Sequence, residues 1–251
     1  MIVSIITVTY NSATLIADCL ASVNSQTYPN IEHIIIDGAS KDNTLEIIKA
    51  TPNRVTKIIS EPDKGIYNAM NKGIRLASGD IIGILNSDDL YVDENVIALI
   101  VKEFEKDDTL EAVHTNLYYV NSEATSKIVR HWITGDFKSG SFFKGWHPAH
   151  PTLFLKREVY DKYGLFDEQF KLAADFEFML RIFEKHKIKS KYLPVTTVRM
   201  RLGGATSKNL KNIMRGNREC LNAFKKNNFK TPFLYPVYRL FPKLKQFINK
   251  R

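Results

Sequence analysis

Two adjacent aspartates, Asp88 and Asp89, are the residues of this chain whose spacing most directly suggests chemistry. They follow an apolar run at residues 81–85, typical of a short buried strand, and the turn-forming pair Asn86-Ser87. Two carboxylates at the end of a buried strand repel each other and are costly to desolvate. A hard divalent cation such as Mg²⁺ or Mn²⁺ would relieve both costs and leave positions for phosphate oxygens. The alternative is a solvated acidic turn that caps a helix.

The preceding chain indicates where this turn would lie. Apolar, β-branched runs alternate with helix-like stretches, which predicts strands at residues 2–8, 31–36, 55–60 and 81–85. Asn11 or Ser12 is expected to cap the first helix. This order is typical of a parallel sheet with helices on both faces, in which ligands bind beyond the carboxyl ends of the strands. No glycine-rich phosphate loop follows the first strand, which argues against dinucleotide and P-loop chemistry.

Polar side chains follow each of the four predicted strands. The first strand ends in Thr9-Tyr10-Asn11, the second in Asp37, the third shortly before Asp63, and the fourth in the aspartate pair. Because the carboxyl ends of parallel strands meet at one edge of a sheet, we expect these side chains to line one ligand cleft. The alternatives are a packed core aromatic for Tyr10, an ordinary turn residue for Asp37 and a solvated acid for Asp63.

The second half of the chain is less regular. Its patterns predict helices at 94–104 and 174–186, a hairpin of strands at 112–120 and 127–132, and further strands at 152–155 and 191–200. Residues 133–151 are rich in glycine and aromatic residues, which is typical of a functional loop. His147 and His150 in this loop lack a third partner and the spacing of a metal site, so structural roles or acceptor contacts are expected.

The positive charge of the protein is concentrated at its end. The whole chain carries a net charge of +9, whereas residues 208–251 hold twelve lysines and arginines and a single acid, Glu219. Aromatic and aliphatic residues interleave with these lysines, a composition that suits an anionic membrane surface. Packing of this segment on the domain is the second alternative, and nucleic-acid binding is a distant third.

The remaining composition is that of an ordinary globular protein of 251 residues. Cys19 and Cys220 have neither disulfide nor zinc-site spacing, and they favour a reducing compartment. No run approaches the roughly 18 apolar residues of a spanning helix, and the first residues predict a strand instead of a signal peptide. We therefore expect a cytoplasmic protein, peripheral on the cytoplasmic face of the membrane.

Four motifs, taken together, resemble the inverting family-2 glycosyltransferases. They are Val8-Thr9-Tyr10-Asn11, the run Asp-Gly-Ala-Ser-Lys-Asp-Asn-Thr at 37–44, the run Glu-Pro-Asp-Lys-Gly-Ile-Tyr-Asn-Ala-Met-Asn-Lys-Gly at 61–73, and Asn86-Ser87-Asp88-Asp89. The resemblance covers roughly residues 1–207. It implies an α/β, GT-A (Rossmann-like) fold with a mostly parallel sheet flanked by helices. Residues 1–110 would form the nucleotide-sugar-binding half, 111–207 the acceptor-binding half, and 208–251 a basic helical, amphipathic extension.

The resemblance implies a set of donor-binding residues. In chain order these are Thr9, Tyr10, Asn11, Asp37, Asp63, Lys64, Asn68, Asp88 and Arg201. The ring of Tyr10 would pack against the nucleotide base, and Asp37 would hydrogen-bond that base, most often a uracil. Arg201 would belong to a mobile segment that closes over the diphosphate.

The resemblance also implies roles in catalysis. Asp88 and Asp89 would bind Mn²⁺ or Mg²⁺, and Asp175 would be the catalytic base, with an ordinary first-turn helix acid as the alternative. Acceptor contacts are implied for Trp146, His147 and His150. The chain departs from the family pattern at two positions, because Asn86 and Ala174 stand where many members carry an acid.

The implied activity is inverting transfer of a sugar from a nucleotide diphosphate, UDP in the first instance, to a hydroxyl of an acceptor. The acceptor would be a carbohydrate or a polyprenyl-diphosphate-linked oligosaccharide in surface polysaccharide biosynthesis. Such transfer needs a general base for the hydroxyl and positive charge on the departing diphosphate. The alternative is a non-catalytic nucleotide-sugar or nucleic-acid binding protein on the same fold. The departures at Asn86 and Ala174 keep that alternative open.

Overall fold

The computed structural model describes residues 1–203, 210–232 and 234–239. Strands and helices alternate strictly through the first third of the chain. In order they are β1 Val3–Thr9, α1 Ile16–Asn24, β2 Ile31–Asp37, α2 Thr44–Ala50, β3 Val55–Ser60, α3 Ile66–Leu76 and β4 Ile81–Ile84. All seven residues of β1 are buried, as expected for a strand covered on both faces. The predicted order of these elements is confirmed.

These four strands form a parallel sheet in the spatial order β3-β2-β1-β4. In its register Thr9 of β1 lies opposite Asp37 of β2, and Asp37 lies opposite Ser60 of β3. The polar residues that end these strands are therefore neighbours along one sheet edge. At the sheet centre Gly83 faces Phe154, and a Cβ at this glycine would stand 2.5 Å from the ring.

The elements of the second part have less regular spacing. They are β5 Asp89–Tyr91, α4 Val96–Lys106, β6 Ala112–Val120, β7 Ile128–Trp132, β8 Leu153–Lys156, α5 Arg157–Tyr163, α6 Ala174–Met179, β9 Ser190–Arg201, α7 Leu210–Lys226 and α8 Tyr235–Tyr238. The sheet continues from β4 through antiparallel β8 and β6, and then through β9, which is parallel to β6 and pairs with β5. The result is one mixed sheet of nine described strands.

The structure corrects several predicted elements. Neither Asn11 nor Ser12 caps α1 through its side chain; the helix begins at Ile16, and the backbone carbonyl of Ser12 accepts its first amide bonds. The helix predicted at 174–186 is α-helical only to Met179 and continues as a π-helix over Leu180–Lys185. The short elements β5 and α5 were not predicted, and β9 runs through Pro194 without a break.

Helices cover both faces of the sheet, and two large apolar clusters lie beneath them. The larger one includes Met70 of α3, Phe178 of α6 and Phe224 of α7. Tyr235 of α8 is fully buried in the same cluster, so the described parts of the C-terminal segment pack on the domain. The predicted boundary at residue 207 lies outside the described residues. Among the described residues, no helix combines the length and apolarity needed to span a membrane.

Candidate active site

Tyr10 projects from the carboxyl end of β1. The residue is 58% exposed, so the alternative of a packed core aromatic is wrong. Its ring lies beside Gly38, where an added Cβ would stand 3.3 Å from Tyr10 Cδ2. Asn11 has a left-handed backbone (φ 50°), and its Oδ1 accepts a hydrogen bond from the Lys41 amide at 2.8 Å. This link joins the loops after β1 and β2 and leaves an aromatic face open to solvent.

Asp37 and Thr9 lie beneath that ring at the strand ends. The Asp37 carboxylate is fully buried and accepts hydrogen bonds from the Ser40 amide at 3.1 Å, the Ser40 hydroxyl at 2.5 Å and the Ser60 hydroxyl at 2.6 Å. It therefore ties the end of β3 to the turn after β2. The Thr9 hydroxyl is buried and has no hydrogen-bond partner among the residues described.

The segment after β3 brings Asp63 to the same place. Asp63 Oδ2 stands 3.2 Å from the position of a Cβ on Gly38, and its carboxylate pairs with Lys72 at 2.6 Å. Lys64 is exposed, and its amide donates to Oδ1 of Asn68 at 3.2 Å. The Asn68 amide in turn donates to Glu168 at 3.0 Å, so this side chain links the strand-end loop to the second half of the domain.

Asp89 is the first residue of β5, and Asp88 directly precedes it. Asp89 is 1% exposed, and burial raises its pKa well above the ordinary range, with a further contribution from the neighbouring charge of Asp88. Burial also raises the pKa of Asp88. The side-chain oxygens Oδ1 of Asp89 and Oδ1 of Asn86 are both buried, and neither has a hydrogen-bond partner in the described parts of the chain. Both oxygens are acceptors, and the guanidinium charge of Arg201 partly offsets the rise in pKa of the two aspartates.

This donor set fits a hard divalent cation. Carboxylate and amide oxygens are ligands that Mg²⁺ and Mn²⁺ accept. Within the described ranges no group of three or more histidine, cysteine or acidic side chains is placed to hold a metal. The candidate ligands are a smaller set, the two aspartates and the buried amide oxygen of Asn86. Cys19 lies within electrostatic range of the aspartates, and burial raises the pKa of its thiol to about 12.

Arg201 is the last residue of β9 and lies beside residues 86–89, the aspartate turn. The residue is 4% exposed, and its guanidinium donates to the carbonyl oxygens of Asp88 at 2.9 Å and Ser122 at 3.1 Å and pairs with the carboxylate of Asp18. These contacts hold the backbone of the aspartate turn. The role predicted for Arg201 on the donor diphosphate stays a prediction, and the six residues after Gly203 lie outside the described residues.

Asp175 is the second residue of α6, and a hydrogen bond joins it to α3. The hydroxyl of Tyr67 donates to Asp175 Oδ1 at 2.8 Å. Burial raises the pKa of Tyr67 well above its ordinary value, and the adjacent carboxylate adds to this rise, so the hydroxyl stays protonated and donates. We did not predict a role for Tyr67, although it stands within the 61–73 motif.

Tyr119 on β6 is a partly buried side chain on which the charges of both acidic groups act. Burial raises the pKa of Tyr119 on β6, and the charges of both Asp89 and Asp175 add to that rise. Both carboxylates therefore lie within electrostatic range of the same phenol. The guanidinium of Arg130 covers the Tyr119 ring at 3.7 Å from its centroid. The metal-binding candidates and the candidate base thus share an electrostatic influence on Tyr119.

The three predicted acceptor residues differ in their surroundings. Trp146 donates its indole N–H to the Thr134 carbonyl at 2.6 Å and packs among the aromatic rings of its own loop. His147 meets the Phe176 ring of α6 edge-on at 5.7 Å. His150 lies within electrostatic range of Asp175, and burial lowers the pKa of its imidazole. The structure brings the two histidines near α6, whereas Trp146 stabilises the loop.

Solved structures of low sequence identity share this fold. S. aureus TarS 1–349 in complex with UDP-GlcNAc matches with a TM-score of 0.70 and 17% identity, covering 99% of this chain and 72% of that one. The mannosyltransferase PcManGT from Pyrobaculum calidifontis, in complex with GDP-Man and Mn²⁺, matches with a TM-score of 0.66 and 21% identity, covering 97% and 70%. The GT-A fold predicted from the sequence is therefore confirmed.

Sequence comparison identifies the family. The chain is 34% identical over 190 residues to a chondroitin synthase of Pasteurella multocida, which covers 75% of this chain but only 19% of that protein. It is 26% identical over 195 residues to a PGL/p-HBAD biosynthesis glycosyltransferase of Mycobacterium tuberculosis, covering 76% and 73%. Residues 4–164 match the sequence profile described as Glycosyl transferase family 2. The chain, with its strand-end cleft and GT-A sheet, belongs to glycosyltransferase family 2.

Proposed function

We propose that this protein is a metal-dependent, inverting hexosyltransferase that moves a sugar from a nucleotide diphosphate donor, UDP, to a hydroxyl of a carbohydrate acceptor. The observation that carries this proposal is the hydrogen bond of 2.8 Å from Tyr67 to Asp175, which ties the candidate base to α3, the helix that follows the strand-end loop of Asp63. A donor diphosphate and an acceptor hydroxyl have chemically suitable partners in that region.

The edge of the parallel sheet is the donor site. The exposed ring of Tyr10 stacks on the nucleotide base, and Asp37, Thr9 and Asp63 lie at the neighbouring strand ends. Base stacking on an aromatic residue contributes about 1–3 kcal/mol. A TarS structure holds UDP-GlcNAc and the PcManGT structure holds GDP-Man, which supports a nucleotide-sugar donor for a chain of this fold.

The cation site consists of Asp88, Asp89 and the amide oxygen of Asn86. These residues would hold Mn²⁺ or Mg²⁺, which supplies positive charge for the departing diphosphate when it is bound. The buried oxygens of Asn86 and Asp89 that lack hydrogen-bond partners among the described residues support this assignment. Mn²⁺ is present in the PcManGT structure, which supports metal dependence in this fold.

Asp175 is the general base. Its carboxylate accepts the proton of the acceptor hydroxyl while that oxygen forms a bond to the anomeric carbon of the donor sugar. The bond from the anomeric carbon to the diphosphate oxygen breaks on the opposite face, which inverts the configuration. Tyr67 occupies Oδ1 of the carboxylate at 2.8 Å and orients the other oxygen, Oδ2, for this proton transfer.

The acceptor is a carbohydrate or a polyprenyl-diphosphate-linked oligosaccharide in the synthesis of a surface polysaccharide, and the protein works peripherally on the cytoplasmic face of the membrane. Relatives named as a chondroitin synthase and a PGL/p-HBAD biosynthesis glycosyltransferase support an acceptor of this class. The exposed side chains of Leu210 and Met214 beside Lys211 on α7 support contact with an anionic bilayer surface.

The deciding experiment measures thermal stabilisation by UDP, GDP, dTDP and CMP, each with and without Mn²⁺ or Mg²⁺. A ligand at a hundred times its dissociation constant stabilises a protein by about 2.7 kcal/mol, which is readily detected. We expect UDP to stabilise the protein only with the cation, and UDP-sugars then to be turned over with a screened acceptor. Stabilisation without turnover would favour the non-catalytic alternative, and no stabilisation would refute the donor assignment.

A further inference from the structure

The loop that leads into α6 is held by a residue from another helix. Glu219 of α7 is 8% exposed, and its Oε2 accepts hydrogen bonds from the amides of Leu172 at 2.7 Å and Ala173 at 3.1 Å. Hydrogen bonds to an ionised acceptor are roughly twice as strong as those between neutral groups. This one carboxylate therefore fastens the two residues that precede the helix of Asp175.

The beginning of α6 has no cap of its own. Its N-cap residue is Ala173, which makes no side-chain capping hydrogen bond. The first amides of a helix lack partners within that helix, and a nearby side chain usually supplies them. Here the amide of the N-cap residue, Ala173, donates to Glu219, which is 46 residues away along the chain.

Two further contacts join α6 to α7 and to the residue that directly follows it, Asn227. The amide of Asn227 donates to Oε1 of Glu177 at 3.0 Å, two residues beyond the candidate base. The rings of Phe176 and Phe224 pack with centroids 5.7 Å apart. Arg215 pairs with the other carboxylate oxygen of Glu219 at 2.9 Å, which orients Oε2 toward the loop.

Asp175 is thus constrained from two directions. Tyr67 holds its carboxylate from α3, and Glu219 holds the backbone before it from α7. Misplacement of a reacting group by 1 Å can lower a rate by about a hundredfold, so the backbone position of a base matters for catalysis. We propose that Glu219 is a positioning residue for Asp175 and that α7 is part of the catalytic apparatus, an inference that rests on the function proposed above.

The test compares Glu219→Ala with Glu219→Gln, because the glutamine amide oxygen still accepts the two backbone hydrogens. We expect Glu219→Ala to lower kcat at least tenfold with the donor KM unchanged within twofold, and Glu219→Gln to restore most of that loss. The exposed Arg218→Ala on the same helix is the matched control and should behave as the wild type. Equal kcat for Glu219→Ala and wild type would overturn the proposal.

Amide hydrogen exchange provides a readout that does not depend on turnover. In Glu219→Ala, peptides that contain Leu172 and Ala173 should exchange at least tenfold faster, while peptides from β1 should not change. Unchanged exchange at Leu172 and Ala173 would also overturn the proposal. A wild-type protein that binds no donor and transfers no sugar would refute the proposed function, and the exchange measurement would still decide whether Glu219 holds the loop.

Discussion

The hydroxyl of Tyr67 donates a hydrogen bond to Oδ1 of Asp175 over 2.8 Å, across 108 residues of sequence. The bond joins α3, which packs on the parallel strands, to α6 in the second half of the domain. Tyr67 is held in position, since it is 9% exposed and lies in the main apolar cluster. The candidate base is therefore coupled to the half of the domain that carries the donor-binding residues.

Replacing Tyr67 with phenylalanine tests this coupling. The ring remains, but the carboxylate loses its donor, and a hydrogen bond to a charged group is worth about 1.5–3 kcal/mol. Because about 1.4 kcal/mol corresponds to a factor of ten, we expect kcat to fall roughly tenfold or more, with the donor KM unchanged. Tyr192→Phe is the matched control, because it removes a hydroxyl that donates to Asn116 over the same 2.8 Å. Equal losses of kcat in the two variants would contradict a special role for Tyr67.

Asp175→Asn tests the base itself. The amide is nearly isosteric but cannot accept the proton of the acceptor hydroxyl, and a positioned general base contributes about 10²–10⁴-fold to a rate. We expect transfer to be lost to that extent while the thermal shift produced by donor and cation stays close to that of the wild type. The exposed Asp161→Asn is the control. Full activity of Asp175→Asn would refute the assignment.

Asp89→Asn tests the cation site. The substitution removes one of the two carboxylates that would attract the cation, so the cation-dependent part of the donor affinity should fall by at least tenfold. Calorimetric titration of Mn²⁺ and UDP measures this directly, with the exposed Asp108→Asn as the reference. Unchanged cation affinity in Asp89→Asn would exclude its role as a ligand.

Tyr10→Ala tests the base-stacking surface. The exposed ring makes few contacts that stability depends on, whereas stacking on a nucleobase is worth about 1–3 kcal/mol. The affinity for UDP should therefore fall about 5- to 150-fold, while the melting temperature without ligand changes little. Tyr10→Phe keeps the ring and should retain the wild-type affinity. A tenfold loss in the phenylalanine variant would instead indicate a hydrogen bond from the hydroxyl.

His33 should make stability fall in acid. Burial, with a smaller contribution from the charge of Arg54, lowers its pKa from the ordinary 6.5 to about 3. Below pH 6.5 the imidazole of His33 becomes protonated in the unfolded chain, whereas in the folded protein it stays neutral down to about pH 3. The free energy of unfolding is therefore highest above pH 6.5 and falls as the pH decreases from 6.5 to about 3.

Urea unfolding between pH 7 and pH 4.5 measures this effect. One such histidine changes the unfolding free energy by up to about 1.4 kcal/mol per pH unit. The plot of unfolding free energy against pH should be less steep for His33→Gln than for the wild type by this amount. This holds whatever the difference in unfolding free energy between the two proteins at pH 7. Identical slopes would show that His33 takes up a proton in the folded state as readily as in the unfolded one.

Local patterns in the sequence were sufficient to predict the order of the elements from β1 to β4. The alternation from β1 to β4 follows from apolar periodicity, because that pattern reflects the burial of each short segment. The grouping of Tyr10, Asp37 and Asp63 at one edge follows from the geometry of parallel strands. The family was also predicted from short motifs. The chain after β4 was less predictable because antiparallel additions such as β5 are held by distant partners instead of by local periodicity.

Only the tertiary structure decided how the candidate site is supported. Tyr67 reaches Asp175, and Glu219 reaches the loop before it, through contacts between residues far apart in sequence. The guanidinium of Arg201 donates to the backbone of the aspartate turn. No local sequence pattern could distinguish this role from contact with a phosphate. Side-chain hydrogen bonds depend on how whole helices pack, because a chain's local preferences determine which elements form but not which atoms meet between them.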